Sequence, residues 1–432
     1  GTEAASVETG AEGMIRPIIG TIGTRVVITA MNLLLIMAAG RTLGTAGLGA
    51  IGLIVLGITF ILLLNNVIGG GALVYLAPRY SAVRLLVPSY IWAAITATVA
   101  FVVLRYVPLV PPGTAPHVVL LALLQSVNGI HVNMLLGRQR IGLHNTILVL
   151  QGAILLVLFG VLSSRDGASV DDYIGAAYVA HASTVVLSGI GVFVTRTSPQ
   201  DEAVPVWRAL FTHGGLVQAA NFMQLLNYRF TYYVLERMHG LAALGLYSVA
   251  VQLAESAWIA PKSLGTVLYS HVSNTTDVDR QRDLTLTILK ASLVFTVLVV
   301  SVLLVLPDAV FQWLFGEEVF GMGPIVAVMA PGLIAMSASQ AFSHFFSGTG
   351  RNRHNAVGSG LALVCTIVAA IALVGHYGLM GAAITASMAY AINGLYQAIV
   401  FARLTHTTAM DWLPGIEDLR RLQRLIPGNR QR

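Results

Sequence analysis

Apolar residues fall along this chain in blocks of about twenty, split by short polar breaks. That is the length at which a helix rising 1.5 Å per residue crosses the roughly 30 Å hydrocarbon core of a bilayer. Six blocks occupy the first half, over residues 18–39, 48–77, 87–107, 117–136, 146–162 and 173–194. Six more follow over 206–235, 241–271, 284–306, 324–346, 356–374 and 379–402. Stretches such as 291–306 are apolar on every side, whereas a barrel strand alternates over about ten residues, so the pattern predicts helices. The fold class it predicts is all-α integral membrane, with about twelve transmembrane helices.

The halves resemble one another. GLGAIGLIVL from Gly47 opens the second block and GLYSVAVQLA from Gly245 the eighth, an offset of 245 − 47 = 198. Arg138-Gln139-Arg140 with His144-Asn145 answers Arg351-Asn352-Arg353 with His354-Asn355, both between the fourth and fifth blocks of their half. Gly175-Ala176-Ala177 and Gly381-Ala382-Ala383 open the last block of each, 381 − 175 = 206 apart. A shared offset near 200 predicts two six-helix bundles related by pseudo-two-fold symmetry about the membrane normal, enclosing a central cavity. The expected division is a disordered tail over 1–13, lobes over 14–198 and 199–405, and a basic amphipathic tail over 406–432. In that tail Ile416, Leu419, Leu422 and Ile426 share one helical face, and Arg420, Arg421 and Arg424 another.

Charge adds an orientation. Alternate loops collect Arg16, Arg79, Arg84, Arg138, Arg140, Arg196, Arg208, Arg280, Arg282, Arg351, Arg353 and Arg403. The opposite loops hold Arg41, Arg105, Arg165 and Arg237 beside Asp166, Asp171, Asp172, Asp308, Glu317 and Glu318. The positive-inside rule puts both termini in the cytoplasm. Composition agrees with a lipid environment: 56% of residues are hydrophobic and 10% charged, and the mean hydropathy is +0.77. The net charge of +6 belongs mainly to these loop arginines, so no nucleic-acid partner is implied.

Enzyme signatures are missing. There is no P-loop, dinucleotide fingerprint, HExxH pair or nucleophile elbow, and the loops are too short for a catalytic domain. Asp277-Val278-Asp279 spells the DxD triplet with which glycosyltransferases hold a metal, but in a short charged connection it reads as a solvated loop. The single cysteine, Cys365, lies in an apolar run and supports neither a disulfide framework nor a thiolate cluster. No cofactor and no metal site are expected.

The informative residues are charges inside the blocks, since an ion at a helix centre costs about 2.5–3.5 kcal/mol even on the lenient insertion scale. Arg25 lies in the first block, Arg229 in the seventh, Glu255 and Lys262 in the eighth, and Lys290 near the start of the ninth, where it reads as a snorkelling residue. Helical spacing sets Thr21, Arg25 and Asn32 on one stripe and Gln252, Glu255, Lys262 and Thr266 on another. The seventh block adds Gln218, Asn221, Gln224, Asn227, Tyr228 and Tyr232; Asn65 and Asn66 with Gly69-Gly70-Gly71 mark a kinked second block. Residues 14–165 contain no Asp or Glu at all, so the first five blocks offer nothing to a cation or a proton and attract anions only. Arginine's planar fork suits phosphate oxygens. The candidate substrate-binding set is Arg25, Arg229, Lys262, Asn32, Asn66, Asn221, Gln224 and Tyr228. Glu255 either couples an ion or neutralises a neighbouring cation, and it stands more than a turn from Lys262. His131, His181 and His213 read as ordinary buried or interfacial histidines.

On the two repeats, the Asn227-Tyr228-Arg229 stretch, the GLYSVAVQLAE opening of the eighth block and the 348–355 connection, the chain resembles the polysaccharide flippases of the multidrug/oligosaccharidyl-lipid/polysaccharide (MOP) exporter superfamily over residues 14–405. That resemblance implies a MATE-like fold in a bacterial inner membrane and alternating access around a cationic cavity. It implies as cargo an undecaprenyl-pyrophosphate-type lipid-linked oligosaccharide moved from inner to outer leaflet. Membrane lipid, a polysaccharide polymerase and glycosyltransferases would be its partners, and the chain would act as a monomer. A cation-coupled multidrug exporter of the same superfamily is the nearest alternative, and needs acidic groups in its cavity. A membrane polysaccharide polymerase or ligase needs a larger extracytoplasmic loop than residues 307–323 supply.

Overall fold

A computed structural model describes residues 2–165, 167–195 and 206–412. The described residues are almost entirely helical: α1 (Thr2–Gly69), α2 (Gly71–Leu76), α3 (Ala82–Tyr106), α4 (Ala115–Gly137), α5 (Ile141–Leu162), α6 (Val170–Val194), α7 (Val206–Ser256), α8 (Ile259–Ser273), α9 (Val278–Val305), α10 (Asp308–Phe315), α11 (Met322–Gly348) and α12 (Arg353–Thr405). Three of these are two helices joined at one glycine whose backbone is not helical: Gly44 in α1 (φ 66°), Gly240 in α7 (φ 81°) and Gly378 in α12 (φ 52°). Dividing α1, α7 and α12 there, joining the interrupted α1–α2 and α7–α8 pieces and setting aside the eight-residue α10 yields twelve spans among the described residues, one for each apolar block. The helix α1 begins at Thr2, within the stretch where a disordered tail is expected. The expected basic tail helix beyond Trp412 lies outside the described residues.

Two compact units divide the chain, Gly1–Phe222 and Met223–Arg432. The core of the first gathers Ile68, Leu73, Leu76, Tyr80, Ile130 and Leu135, all fully buried. The core of the second is aromatic, with Phe342, Phe345, Phe346 and Phe401 stacked against Leu268 and Val272. The outer surfaces are apolar too: Val364, Val368 and Ile371 share one face of span eleven and are each about 60% exposed, as residues solvated by lipid rather than water are.

The internal repeat is visible in the backbone. Every join from an odd span to the next even one carries a glycine at positive φ: Gly44, Gly113, Gly167, Gly240, Gly316 with Gly321, and Gly378. The fourth and tenth spans end in the same Schellman motif. Gln139 (φ 60°) and Gly350 (φ 73°) hold the left-handed position, and Arg140 N and Arg351 N reach back to Leu135 O and Phe346 O, at 2.9 and 2.6 Å. A bond from the following span repeats as well: His144 Nδ1 donates to Val132 O and Asn355 Nδ2 to Ser343 O, each at 3.0 Å. All these pairs share the offset 351 − 140 = 211, so Arg351 answers Arg140 and not Arg138, which corrects the register read from the motif alone.

The eighth span is broken. Between Ser256 and Ile259 it bends by 43°. Pro261 has no N–H for the carbonyl four residues back, Ala257 O, so the helical ladder is interrupted there; the Thr296 hydroxyl on span nine lies 3.4 Å from that oxygen but gives its proton to Ser337 at 2.8 Å. The second span is interrupted at Gly70, as its glycine run predicts, and the Asn133 amide donates to Gly69 O at 2.9 Å.

Candidate functional site

Arg229 on span seven and Glu255 on span eight form a two-pronged ion pair: Nη1 meets Oε1 at 2.9 Å and Nη2 meets Oε2 at 3.1 Å. The Gly240 turn brings them together. Arg229 precedes it by eleven residues and Glu255 follows by fifteen (240 − 229 and 255 − 240), about 16 and 22 Å of helical rise, a depth near the middle of a 30 Å core. Both side chains retain about a fifth of their exposure, so the pair is shielded yet reachable. Parallel N–H···O bonds between guanidinium and carboxylate hold both groups in a plane.

Aromatic rings surround the pair. The guanidinium lies 5.0 Å from the centre of Tyr232, one turn on. Tyr228, Trp258 and Tyr390 form a cluster with centroids 5.1–6.2 Å apart, Tyr390 edge-to-face against the other two rings, and Tyr232 meets Tyr247 at 5.6 Å. The Trp258 indole donates to Leu333 O and the Tyr247 hydroxyl to Ala382 O, both at 3.2 Å, which anchors these rings to the tenth and twelfth spans. Tyr232 stands three residues after Arg229 and Trp258 three after Glu255, a helical spacing that signals both; Tyr390, from a remote span, has no such signal.

The ion pair bears on two expectations. Arg229 is not a bare cation awaiting phosphate, because Glu255 already balances it. Glu255, for which ion coupling or neutralising a neighbouring cation was expected, is paired with Arg229 through both oxygens. The expected stripe from Gln252 to Thr266 is also not continuous: the bend after Ser256 separates Glu255 from Lys262. Lys262 is exposed, with its ammonium 5.7 Å from the Trp258 ring.

In the same unit Gln224 is exposed and donates to the Tyr228 hydroxyl at 3.1 Å. Asn227 is buried, its Oδ1 accepting from Thr366 at 2.6 Å, and so joins spans seven and eleven as a structural contact.

In the first unit, Arg25 and Asn32 are both exposed on span one with Thr29 between them. Among the described residues no side chain partners the Arg25 guanidinium. Arg25 lies nineteen residues before Gly44 (44 − 25), about 28 Å of rise, so it stands towards the far end of its span and not at its midpoint. Asn66 is half-buried one turn before the Gly70 break, and Asn221 is exposed and donates to Gln218 at 3.2 Å.

The histidines of the first unit behave as structural groups. Ser188 gives its proton to Val185 O, so it accepts from His131 Nδ1–H at 2.9 Å, and His131 Nε2 accepts from the Tyr90 hydroxyl. His181 Nε2 meets the Gln125 amide at 2.8 Å. The side chain of His213 lies outside the described residues. Asp277 of the DxD triplet is the N-cap of α9, its carboxylate accepting from the backbone N–H of Asp279 and Arg280, while Asp279 pairs with Arg282 at 2.9 Å.

A polysaccharide biosynthesis protein family matches residues 270–419 of the chain. No curated protein matches its sequence. Solved structures resemble it throughout. An inward-facing multidrug resistance MATE transporter of the MOP superfamily superposes with a TM-score of 0.70 at 16% identity, over 88% of this chain and 96% of its own. The lipid II flippase MurJ in an inward closed conformation gives 0.67 at 15% identity, over 95% and 91%. A MOP superfamily transporter from Pyrococcus furiosus, described as having a binding pocket of reverse polarity, gives 0.63 at 16% identity, over 91% and 95%. At these identities the likeness establishes the fold.

Proposed function

We propose that this multi-pass membrane protein, which has the fold of the MOP superfamily transporters, flips an anionic lipid-linked oligosaccharide from the inner to the outer leaflet by alternating access. One observation carries the reading. Residues 14–165 hold nine arginines and no carboxylate, and within that run Arg25 is exposed in a membrane span without a counter-charge among the described residues. An arginine held there favours an anionic partner, and a diphosphate linking lipid to sugar supplies one. The match of residues 270–419 to polysaccharide biosynthesis proteins supports a sugar as cargo.

In this reading Arg25, Arg229 and Lys262 receive the phosphates, and Arg229 is balanced by Glu255 when no cargo is bound. Cargo that reaches mid-membrane depth competes with the carboxylate for the Arg229 fork; when it leaves, Glu255 takes the fork back and the empty carrier returns without an uncompensated charge. Asn32, Asn66, Asn221, Gln224 and Tyr228 contact sugar. Both termini face the cytoplasm and the chain carries out no covalent chemistry.

Fold alone does not separate this function from drug export, since a MATE transporter and a lipid flippase superpose equally well. Charge supports the flippase: an organic cation needs an open carboxylate, and Glu255 is held by both its oxygens. The test is a leaflet assay in cells carrying Arg25→Ala, Lys262→Ala or the double variant Arg229→Ala with Glu255→Ala. Lipid-linked oligosaccharide should accumulate on the inner leaflet at normal protein abundance. Undiminished export by Arg25→Ala refutes the assignment.

A further inference from the structure

A second polar site lies at the surface end of span eight. There α8 gives way to α9 through residues 274–277, and a cavity of about 290 Å³ opens, lined by Ser270, His271, Asn274, Thr275, Arg280 and Leu284. All but Leu284 carry hydrogen-bonding side chains. Arg280 is exposed, and the neighbouring acids are committed elsewhere: Asp277 caps the helix through backbone N–H groups, and Asp279 and Asp283 both pair with Arg282. Among the described residues the Arg280 guanidinium has no counter-ion. His271 donates its Nδ1–H to Val267 O at 2.9 Å, leaving Nε2 as its free nitrogen.

The cavity is continuous in sequence with the membrane interior. Lys262, Thr266, Ser270 and Asn274 recur every four residues along α8 and its C-cap, and all four are exposed. They make a polar stripe about 18 Å long by helical rise, from beside Trp258 to the cavity. Its charge is entirely positive, with Lys262 at one end and Arg280 at the other. A lone cation at a membrane surface is ordinary; here Lys262 on α8 and Arg280 on α9 flank a polar stripe in which Thr266 gives its hydroxyl proton to Lys262 O and Asn274 one of its two amide protons to Ser270 O, so the two cations are what would draw an oxyanion along it.

We infer that this cavity is a phosphate-docking site, where the headgroup phosphate or diphosphate of a lipid is held by Arg280, Ser270 and Asn274 before passing along the stripe to Lys262. The inference rests on the transport reading for the direction of passage, and on the cavity's own residues for the binding.

Ser270→Cys in a Cys365→Ser background places a reporter thiol on the cavity wall. Its rate of modification by a water-soluble maleimide is followed with protein in phosphatidylcholine vesicles, with and without inorganic pyrophosphate, and in vesicles containing phosphatidylglycerol. Protection by pyrophosphate is expected, and adding Arg280→Gln should raise the concentration required about tenfold, the effect of losing one charge-assisted contact. Arg403→Gln, at an exposed arginine on span twelve, should change nothing. Protection by phosphatidylglycerol alone identifies a lipid headgroup as the source, and protection by pyrophosphate alone a free phosphate; both uphold the site. Protection by neither, or protection indifferent to Arg280→Gln, overturns it. The leaflet assay is separate, so normal export by Arg25→Ala together with Arg280-dependent protection removes the transport reading and leaves the docking site standing.

Discussion

Arg229 and Glu255 meet across the seventh and eighth spans through two parallel hydrogen bonds, each partner the nearest opposite charge of the other. Such a pair contributes little when intact and is costly to halve, because the survivor is left charged in a poorly hydrated place. Glu255→Ala should therefore destabilise the protein by about 3 kcal/mol, while Arg229→Met combined with Glu255→Leu should recover most of the loss without restoring transport. Thermal unfolding in detergent, paired with the leaflet assay, checks both halves. A double variant as unstable as the single one would contradict the coupling.

The Schellman turns provide a matched comparison. Gln139 holds a left-handed backbone that its counterpart Gly350 adopts freely. Gln139→Gly should stabilise the first unit by about 1 kcal/mol, and Gly350→Gln should destabilise the second by a similar amount. Opposite shifts in melting temperature are the expected signature, and shifts of the same sign would be inconsistent with it.

A methyl group added at Gly240 would meet nothing within 4 Å, yet the φ of 81° and ψ of 179° there lie where L-residues seldom go. Gly240→Ala should cost about 1–3 kcal/mol through backbone strain alone. Gly142→Ala, equally uncrowded but in ordinary helical geometry, should be neutral or slightly stabilising. Folded yield on size-exclusion chromatography separates them, and equal yields would show that crowding rather than φ decides.

Asp277 distinguishes a helix cap from a metal ligand. Asp277→Ala should lower stability by about 1 kcal/mol, and Asp277→Ser or Asp277→Asn should retain most of it, since either accepts the same backbone N–H groups. Manganese or a chelator should leave melting unchanged in all variants. A metal-dependent melting shift lost in Asp277→Asn would reinstate the DxD reading.

The spans were legible because lipid imposes a length: each of the twelve apolar blocks became one span, the second and eighth of them interrupted, with Gly44, Gly240 and Gly378 at breaks between blocks. The repeat was legible only approximately. Motif matching aligned Arg138 with Arg351, whereas hydrogen bonding aligns Arg140 with it, because the shared feature is a backbone turn and its left-handed residue is Gln in one copy and Gly in the other. At the site, the cost of intramembrane charge singled out Arg229 and Glu255. Their pairing was hidden, since it depends on how far the helices run on either side of Gly240. Tyr390 was invisible for the same reason at longer range, and the 43° bend that separates Lys262 from Glu255 follows from Pro261, whose effect on a nominal stripe has to be followed in three dimensions.

The joins at Gly44, Gly240 and Gly378 turn the chain within a single residue, leaving no slack on that side of the membrane between the helices they connect. Epitope tags and protease sites inserted there would have to unwind a helix end to be accommodated, so such handles belong in the 107–114 and 316–321 connections.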